Sequence, residues 1–476
     1  MTRRSAKQLR EDALAIWNAG VDSVLGDRLV KAFIRTEGDQ LWLGDQWVDL
    51  SAIDRLVVVG GGKAAASMAV GFEQAVSPRT DALERKGWLN IPEGCLRETE
   101  WIHLHEARPA GLNEPTPQGA EGTATMLEWV EELGPRDWCV VLLSGGGSAL
   151  LPAPLDGISL EDKLATTRFL SGAGANIEQL NTVRKSLSRI KGGGLARACK
   201  AGRLDTLIIS DVLGDPLDII ASGPTVPNST GAREALAVLK QLDPGREQVP
   251  LSVYQVLDAN FQDSEQDAAV TGSTIIQNHI IGNLAVAVDA AGVEAEKRGY
   301  SHAMQCARSM EGTAESVGER HAQLAWRMRN EAGPDCLITG GEPIVKLAPP
   351  ENRGKGGRNQ QLVLAALQEL RKLRDTHDAA LALATEGICL LSGGTDGEDG
   401  PTTAAGGWID TAVEEAIISG GLDVMTALAR NDAFSILQQN AGLLETGPTH
   451  TNVCDLRVVV VDRTEATPST AHPDVG

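Results

Sequence analysis

A continuous apolar run that stops at a cluster of glycines occurs twice early in the chain, and no other feature constrains the fold as much. RLVVV (55–59) runs into Gly60, Gly61, Gly62 and Lys63, and WCVVLL (138–143) runs into Ser144, Gly145, Gly146, Gly147 and Ser148. A strand that is apolar at successive positions, rather than alternate ones, is covered on both faces, as the strands of parallel sheets are. Glycines at its C-terminal end let the backbone turn sharply or come close to a ligand. A third run, TLIISDV (206–212), contains Asp211, and residues 161–200 read as helical with an interruption near 172–174. Strand and helix thus alternate. That predicts an α/β fold with a doubly wound parallel sheet and functional loops at the strand C-termini.

The 476 residues exceed what one core holds, so two or three domains of roughly 100–200 residues are expected. Residues 1–35 read as helix, with Leu9, Ala13, Ile16 and Trp17 at helical spacing. Residues 226–270 change character: VPNSTG is turn-like, one helix follows, then DANFQDSEQDAAVTG is polar, and a boundary near 260–275 separates a domain at 1–265 from a second at 266–465. The second restarts with an apolar strand at 275–281 and a helix at 283–298. A strand at 335–342, a helix at 359–375, a strand at 379–385, a loop at 392–407 and a strand at 456–462 follow. The polar tail 466–476 is expected to be disordered.

Formal net charge is −21. Such a surface repels nucleic acid and anionic membranes in bulk, and neither is expected as a partner. If the substrates are anions, positive charge has to be local, inside the glycine loops. The seven cysteines include no C-x-x-C pair and read as reduced core residues of a cytoplasmic protein. MTRRSAKQLREDALAIW at the start lacks the apolar core of a secretory signal, and no apolar run is long enough to span a bilayer. Oligomeric state is left open, a homodimer included.

Four glycine loops carry the chemistry. Residues 60–65 match G-x-G-x-x-[GA] between a strand and a helix, the dinucleotide fingerprint. A helix N-terminus there offers backbone N–H groups to an anion. Lys63 adds a point charge that suits phosphoryl transfer. Phosphate or carboxylate binding and dinucleotide binding therefore both stand on this motif. The acid that a dinucleotide ribose needs about 20 positions on has only loose candidates in Asp81 and Glu84. Residues 144–148 form an anion nest.

In GGEPIVKL and RGKGGRNQQ, the groups Glu342, Arg358 and Asn359 stand out. Two glycines ahead of Arg358 at a helix start would set a guanidinium beside unpaired backbone donors, a planar hold on phosphate. Asp396 lies among glycines in the fourth loop, 393–401, as oxygen ligands of hard cations do. Asp211 at a strand end either holds a metal or accepts a hydroxyl proton. Asn181, Arg184, Lys185 and Lys191 can hold a carboxylate or form a solvated face. His103 and His105 would face the same way on a strand, without a third ligand. Walker A and the protein-kinase motifs are absent.

Further segments join these loops in order: LNTVRKSLSRIKGGGLA (180–196), ISDVLGDPLDIIASGPT (209–225), NDAF (431–434) and TGPTHTNVCDL (446–456). The ordered set resembles the class II glycerate kinases, the MOFRL-domain family, over nearly the whole chain. The resemblance implies a Rossmann-like N-terminal domain, a distinct MOFRL-type α/β C-terminal domain, and an active site in the cleft between them. The implied reaction moves the γ-phosphoryl group of ATP to the 2-hydroxyl of D-glycerate, giving 2-phosphoglycerate, with Mg²⁺. Lys63 and Arg358 map onto the family's catalytic charges, and Asp211 is expected to act with them. Gly61, Gly62, Ser144, Gly145, Gly146, Gly147, Ser148, Glu342 and Asn359 are expected to bind substrate or phosphate, and Arg184 or Lys185 the glycerate carboxylate. Asp211 or Asp396 would hold Mg²⁺ or orient the hydroxyl. Three departures stand against the family pattern: EARPAGLNEPTPQG (106–119) for G-H-P-x-P-D, Thr403 for an acid, and His450 for a glycine. The alternatives are an NAD(P)-dependent hydroxypyruvate reductase, resting on the 60–65 fingerprint, and a non-catalytic member that binds a phosphorylated ligand.

Overall fold

The computed structural model describes residues 4–37, 40–81, 83–109, 112, 114–228, 230–263, 274–377 and 381–463. The chain divides into two compact units, one of residues 24–283 and 450–453, the other of residues 1–23, 284–449 and 454–476.

The first unit opens with an antiparallel meander, β1 (Ile34–Glu37), β2 (Gln40–Leu43) and β3 (Gln46–Asp49). Six parallel strands follow: β4 (Arg55–Gly61), β5 (Glu84–Pro92), β6 (Ile102–Arg108), β7 (Trp138–Leu143), β8 (Arg203–Ile209) and β9 (Ile275–Gly282). Their order is β6-β5-β4-β7-β8-β9. The two continuous apolar runs are β4 and β7. They lie side by side with Val59 opposite Val141, and β7 is buried at every position. Val57, Val59, Val141 and Leu143 pack with Met126, Leu127 and Val130 of the helix Pro117–Glu131. Each such side chain removed from water contributes about 1.5–3 kcal/mol. Thr116 caps that helix by accepting from Gly119 N at 3.0 Å, and Pro117 sits in the first turn, where no N–H is needed. The helices Leu160–Gly172, Ile177–Ser186, Ala232–Leu242 and Leu251–Asp263 share a core of their own around Leu170, Val183, Leu239 and Val253.

The second unit holds β10 (His302–Cys306), β11 (Cys336–Gly341), β12 (Ile388–Gly394), β13 (Gly406–Ile409), β14 (Leu443–Leu444) and β15 (Asp455–Val461). Their order is β10-β11-β15-β12-β13-β14, and only β10 and β11 run parallel. DLRVVVV, which forms β15, is buried throughout and lies between β11 and β12. Val459 and Val461 pack with Leu362, Val363 and Leu367 of the helix Arg358–Thr376 and with Val317 of the helix Ala314–Asn330.

Several expectations are corrected by this architecture. The helix expected over 1–35 is two helices, Ala6–Ser23 and Gly26–Phe33, and the first belongs with the second unit. Trp17 is buried there, and its Nε1–H donates to Leu456 O at 3.2 Å. The strand expected to open a second domain pairs in parallel with β8 instead and completes the first sheet. The one helix expected after VPNSTG is two, Ala232–Leu242 and Leu251–Asp263, the second running into the segment expected to be polar, and their apolar residues fill the helical layer. Residues 381–387 form bends and turns rather than the expected strand, although the apolar run LALAT reads as one. The loop expected at 392–407 is trimmed at both ends by β12 and β13. The boundary at 265/266, residues 379–380 and the tail 466–476 lie outside the described residues. No helix among the described residues is long and apolar enough to cross a membrane.

Candidate active site

In the first unit the glycine loops after β4 and β7 are bolted together. Gly62 has φ +148°, and a β-carbon on it would fall 2.1 Å from Ser144 Oγ, so no other residue fits. That close approach lets Ala64 N donate to Ser144 Oγ at 2.9 Å, while Lys63 N donates to Gly145 O at 2.8 Å and Ser144 N to Gly61 O at 3.4 Å. Ser144 is fully buried. It is a bolt between two turns and not the phosphate contact that its motif suggests. Gly147 N is likewise turned inward, onto Ser144 O at 3.1 Å. The stem of Lys63 lies over Gly146, where a β-carbon would be 3.5 Å from Lys63 Cγ.

Asp211 follows β8 and reaches the same turn. A β-carbon on Gly145 would overlap both Asp211 Oδ2 and Asn452 Nδ2, and Asn452 Nδ2 donates to Asp211 Oδ2 at 3.1 Å. Lys63, the 145–148 turn, Asp211 and Asn452 therefore converge at the C-terminal ends of β4, β7 and β8. Asn452 was not singled out from the sequence. It belongs to a segment some 240 positions away in the chain, |i−j| = 241, that returns to this sheet.

A cavity of about 600 Å³ opens beside that turn, lined by Gly146, Gly147, Ser148 and Asp211. Lys163, Arg184 and Lys191 line it too. Arg184 Nη2 donates to Ser148 Oγ at 2.5 Å, and Lys191 Nζ donates to Ser148 O at 2.7 Å and to Ser148 Oγ at 2.9 Å. Lys163 is 5% exposed, and its Nζ has no hydrogen-bond partner. Burial, then the nearby Arg184, pushes Lys163 down to about 7. Burial likewise holds Lys191 well below the usual lysine range, with Arg184 and Lys163 adding to the effect. Lys185, offered by sequence as an equal of Arg184, pairs instead with Asp218 at 3.2 Å.

In the second unit Arg358 opens the helix Arg358–Thr376. Its Nε donates to Asp455 Oδ2 at 2.7 Å and its Nη2 to Asp455 Oδ1 at 3.0 Å, while Nη1 donates to Glu342 Oε1 at 2.8 Å. The bidentate fork expected on phosphate is thus occupied by a buried carboxylate. The unpaired backbone donors expected beside it are also taken. Asp399 accepts from Asn359 N at 3.1 Å and from Gln360 N at 2.9 Å. Asn359 itself is fully buried, accepting from Ser392 Oγ and donating to Asp399 Oδ1, so it positions the helix start and does not face a ligand. Burial pushes Asp399 up to about 7, against the pull of the Asn359 and Gln360 N–H groups, with Asp455 raising it further. Glu342 is raised by burial, opposed by Arg358, with Asp455 and Asp396 adding to the rise. Asp396 Oδ1 accepts from Glu398 N at 3.0 Å, and a β-carbon on Gly394 would sit 3.0 Å from that oxygen and 3.6 Å from Asp455 Oδ1. Carboxylates thus outnumber the one guanidinium.

Among the described residues no three His, Cys, Asp or Glu side chains are grouped to hold a metal ion. His103 and His105 lie on β6 with their rings against Trp88, at centroid distances of 4.3 and 5.2 Å. Asp81 and Glu84 stand at the N-terminal end of β5, opposite the glycine loop, and so cannot hold a ribose beside it. His450 has φ +60°, the left-handed conformation that a glycine takes without strain.

The family described as "Domain of unknown function (DUF4147)" matches residues 12–258, and the one described as "MOFRL family" matches residues 335–455. "Glycerate kinase" of Homo sapiens is 34% identical, the match covering 96% of this chain and 94% of that one. "D-glycerate 2-kinase" of Thermotoga maritima is 33% identical, covering 96% and 99%. A crystal structure of glycerate kinase from Thermotoga maritima superposes with a TM-score of 0.77 at 32% identity, covering 96% of this chain and all of that one.

Proposed function

The chain belongs to the MOFRL-type glycerate kinases, and from that premise we propose that it transfers the γ-phosphoryl group of ATP to the 2-hydroxyl of D-glycerate. The products are ADP and 2-phosphoglycerate. One observation carries the reading: Lys63, the 145–148 turn, Asp211 and a cation-lined cavity meet at the C-terminal ends of three adjacent strands. The sheet order supports the doubly wound form. Counted within its own sheet it is 3-2-1-4-5-6, and ligands of such sheets bind where the order reverses. That point lies between β4 and β7, beneath the two bolted glycine loops.

Phosphoryl transfer is mostly positioning and charge stabilisation. Lys63 supplies a point charge to the transferring group. Asp211, held by the Asn452 amide, takes the proton of the 2-hydroxyl. The hydroxyl oxygen then bonds to the γ-phosphorus as the bond to the bridging oxygen of ADP breaks, and ADP leaves with that electron pair. Arg358 is assigned to the same transfer as a rigid charge fixed by Asp455 and Glu342. Mg²⁺ suits the donors present, because Asp211 or Asp396, each a hard oxygen ligand, would hold it and the acids near Arg358 exceed its charge. Carried on a nucleotide, Mg²⁺ needs only one or two protein carboxylates. When bound, it neutralises charge on the phosphates. The described cysteines are all free thiols, which suits a reducing compartment such as the cytoplasm.

The test is ADP release from purified protein with Mg-ATP and D-glycerate, with NMR identification of the product. Lys63→Ala is expected to lower kcat by on the order of 10³-fold with the circular dichroism spectrum unchanged. A wild-type kcat in that variant would sink the assignment.

A further inference from the structure

Of the four basic side chains that line this cavity, Arg168 is paired with Glu114, while Lys163, Arg184 and Lys191 crowd together, and charging all three is costly unless an anion completes the site. Lys163, Arg184 and Lys191 come from three separate segments of the chain and share one wall with Ser148. The Lys163 ammonium is buried there without a hydrogen-bond partner, although a buried polar group of that kind is ordinarily satisfied. The remaining lining includes Pro115, Ala149, Pro152, Leu164 and Ile219 and has no aromatic ring on which a purine could stack. It does contain Asp211.

We infer that Lys163, Arg184 and Lys191 form the seat for the carboxylate of the acceptor, a small 2-hydroxy acid, with Lys163 as the group that the carboxylate satisfies. The inference rests on the kinase reading and adds to it where the acceptor lies. In a 2-hydroxy acid the carboxylate is one carbon from the reacting hydroxyl. The cation cluster and the proton acceptor Asp211 must then share a cavity, and they do. Transfer adds negative charge beside the same cations, so the seat also stabilises the product side of the reaction. Lys163 faces Arg184 and Lys191, with Asp211 and the Arg168–Glu114 pair on the other walls of the cavity. Seating an anion there restores a full charge to Lys163, so binding takes up a proton near neutral pH.

The experiment is calorimetric titration of D-glycerate, and separately of ADP, into wild type and Lys163→Met at pH 8, in two buffers of unlike ionisation heat. Wild type is expected to bind glycerate with proton uptake. Lys163→Met should weaken glycerate by about 10- to 100-fold, the loss of one charged hydrogen bond, and reduce the uptake, with Lys191 accounting for the rest. ADP affinity should stay within about twofold, inside the scatter of a side chain that makes no contact with the ligand. Arg184→Gln should weaken glycerate in the same sense, which guards against a single misfolded variant. The seat is overturned if glycerate affinity is unchanged in both variants, or if ADP affinity falls instead, which would make the cluster a nucleotide-phosphate site. ADP release by wild type separates the two readings. If wild type turns over glycerate while Lys163→Met keeps its KM, the seat is wrong and the kinase stands. If wild type neither binds nor phosphorylates glycerate, both fall together.

Discussion

Lys163 is pushed down to about 7 by its burial and by Arg184. An anion in the cavity raises that value, so acceptor binding is strongest below pH 7, where Lys163 is already charged, and weakens as pH rises. KM for glycerate should climb by up to about tenfold per pH unit above neutrality, until the pKa of the occupied site is passed. A KM flat between pH 6 and 9 would contradict this. His450 gives a second prediction at this scale. Its φ of +60° costs a residue with a side chain about 1–2 kcal/mol, partly offset by the larger unfolded-state freedom of glycine. His450→Gly should therefore raise stability by about 0.5–1 kcal/mol in urea unfolding. A loss of that size would mean the imidazole makes contacts that outweigh the strain. Lys63 was legible in sequence because its motif is local, a charge set inside a glycine turn. Lys163 was not, since a single lysine on a helix reads as solvated until Ser148, Arg184 and Lys191 are folded around it.

The two kinds of loop differ in how much of their geometry is written locally. After β4 and β7, continuous apolar strands and glycine runs announce buried parallel strands and sharp turns, and both formed as read. At the start of the helix Arg358–Thr376 the same local signals suggested open backbone donors, yet Asp399, about 40 positions on with |i−j| = 40 to Asn359, covers them. An acid among glycines reads as a metal ligand or a turn, and nothing local marks it as a cap for a distant helix. Asp399 is raised to about 7, above its value in an unfolded chain, so the folded state binds more protons than the unfolded state between roughly pH 4 and 7. Through this group stability falls as pH rises across that window. Asp399→Asn keeps an acceptor oxygen for the cap and removes the titration. Its unfolding free energy should lose less than wild type between pH 5 and 8, by an amount on the order of a few kcal/mol. Equal losses in the two proteins would show that Asp399 is ionised throughout.

At the scale of the whole molecule, one unit is nearly continuous in sequence and the other is assembled from both sides of it. Composition gave no hint of this. The polar stretch before β9 looked like a border, while the N-terminal helix was assigned to the first domain. The helix was decided by a partner hundreds of positions away, Trp17 with Leu456, and the stretch before β9 by nearer ones, the helices around Leu170 and Val183. A chain ending after residue 453 retains β4–β9 and the segment 450–453 but lacks β15. Limited proteolysis of that variant should leave the parallel-sheet unit protected and degrade 284–449. Equal protection of both would show that β15 is dispensable.

The place of β15 has a bearing on how the protein is made. It fills the slot between β11 and β12, and among the described strands it is the last to leave the ribosome. Until then β11 and β12 each lack the partner of one edge, and both strands are largely apolar. Such edges recruit any extended segment within reach, so β11 and β12 are where a chaperone is needed during synthesis and where two unfinished chains would exchange strands.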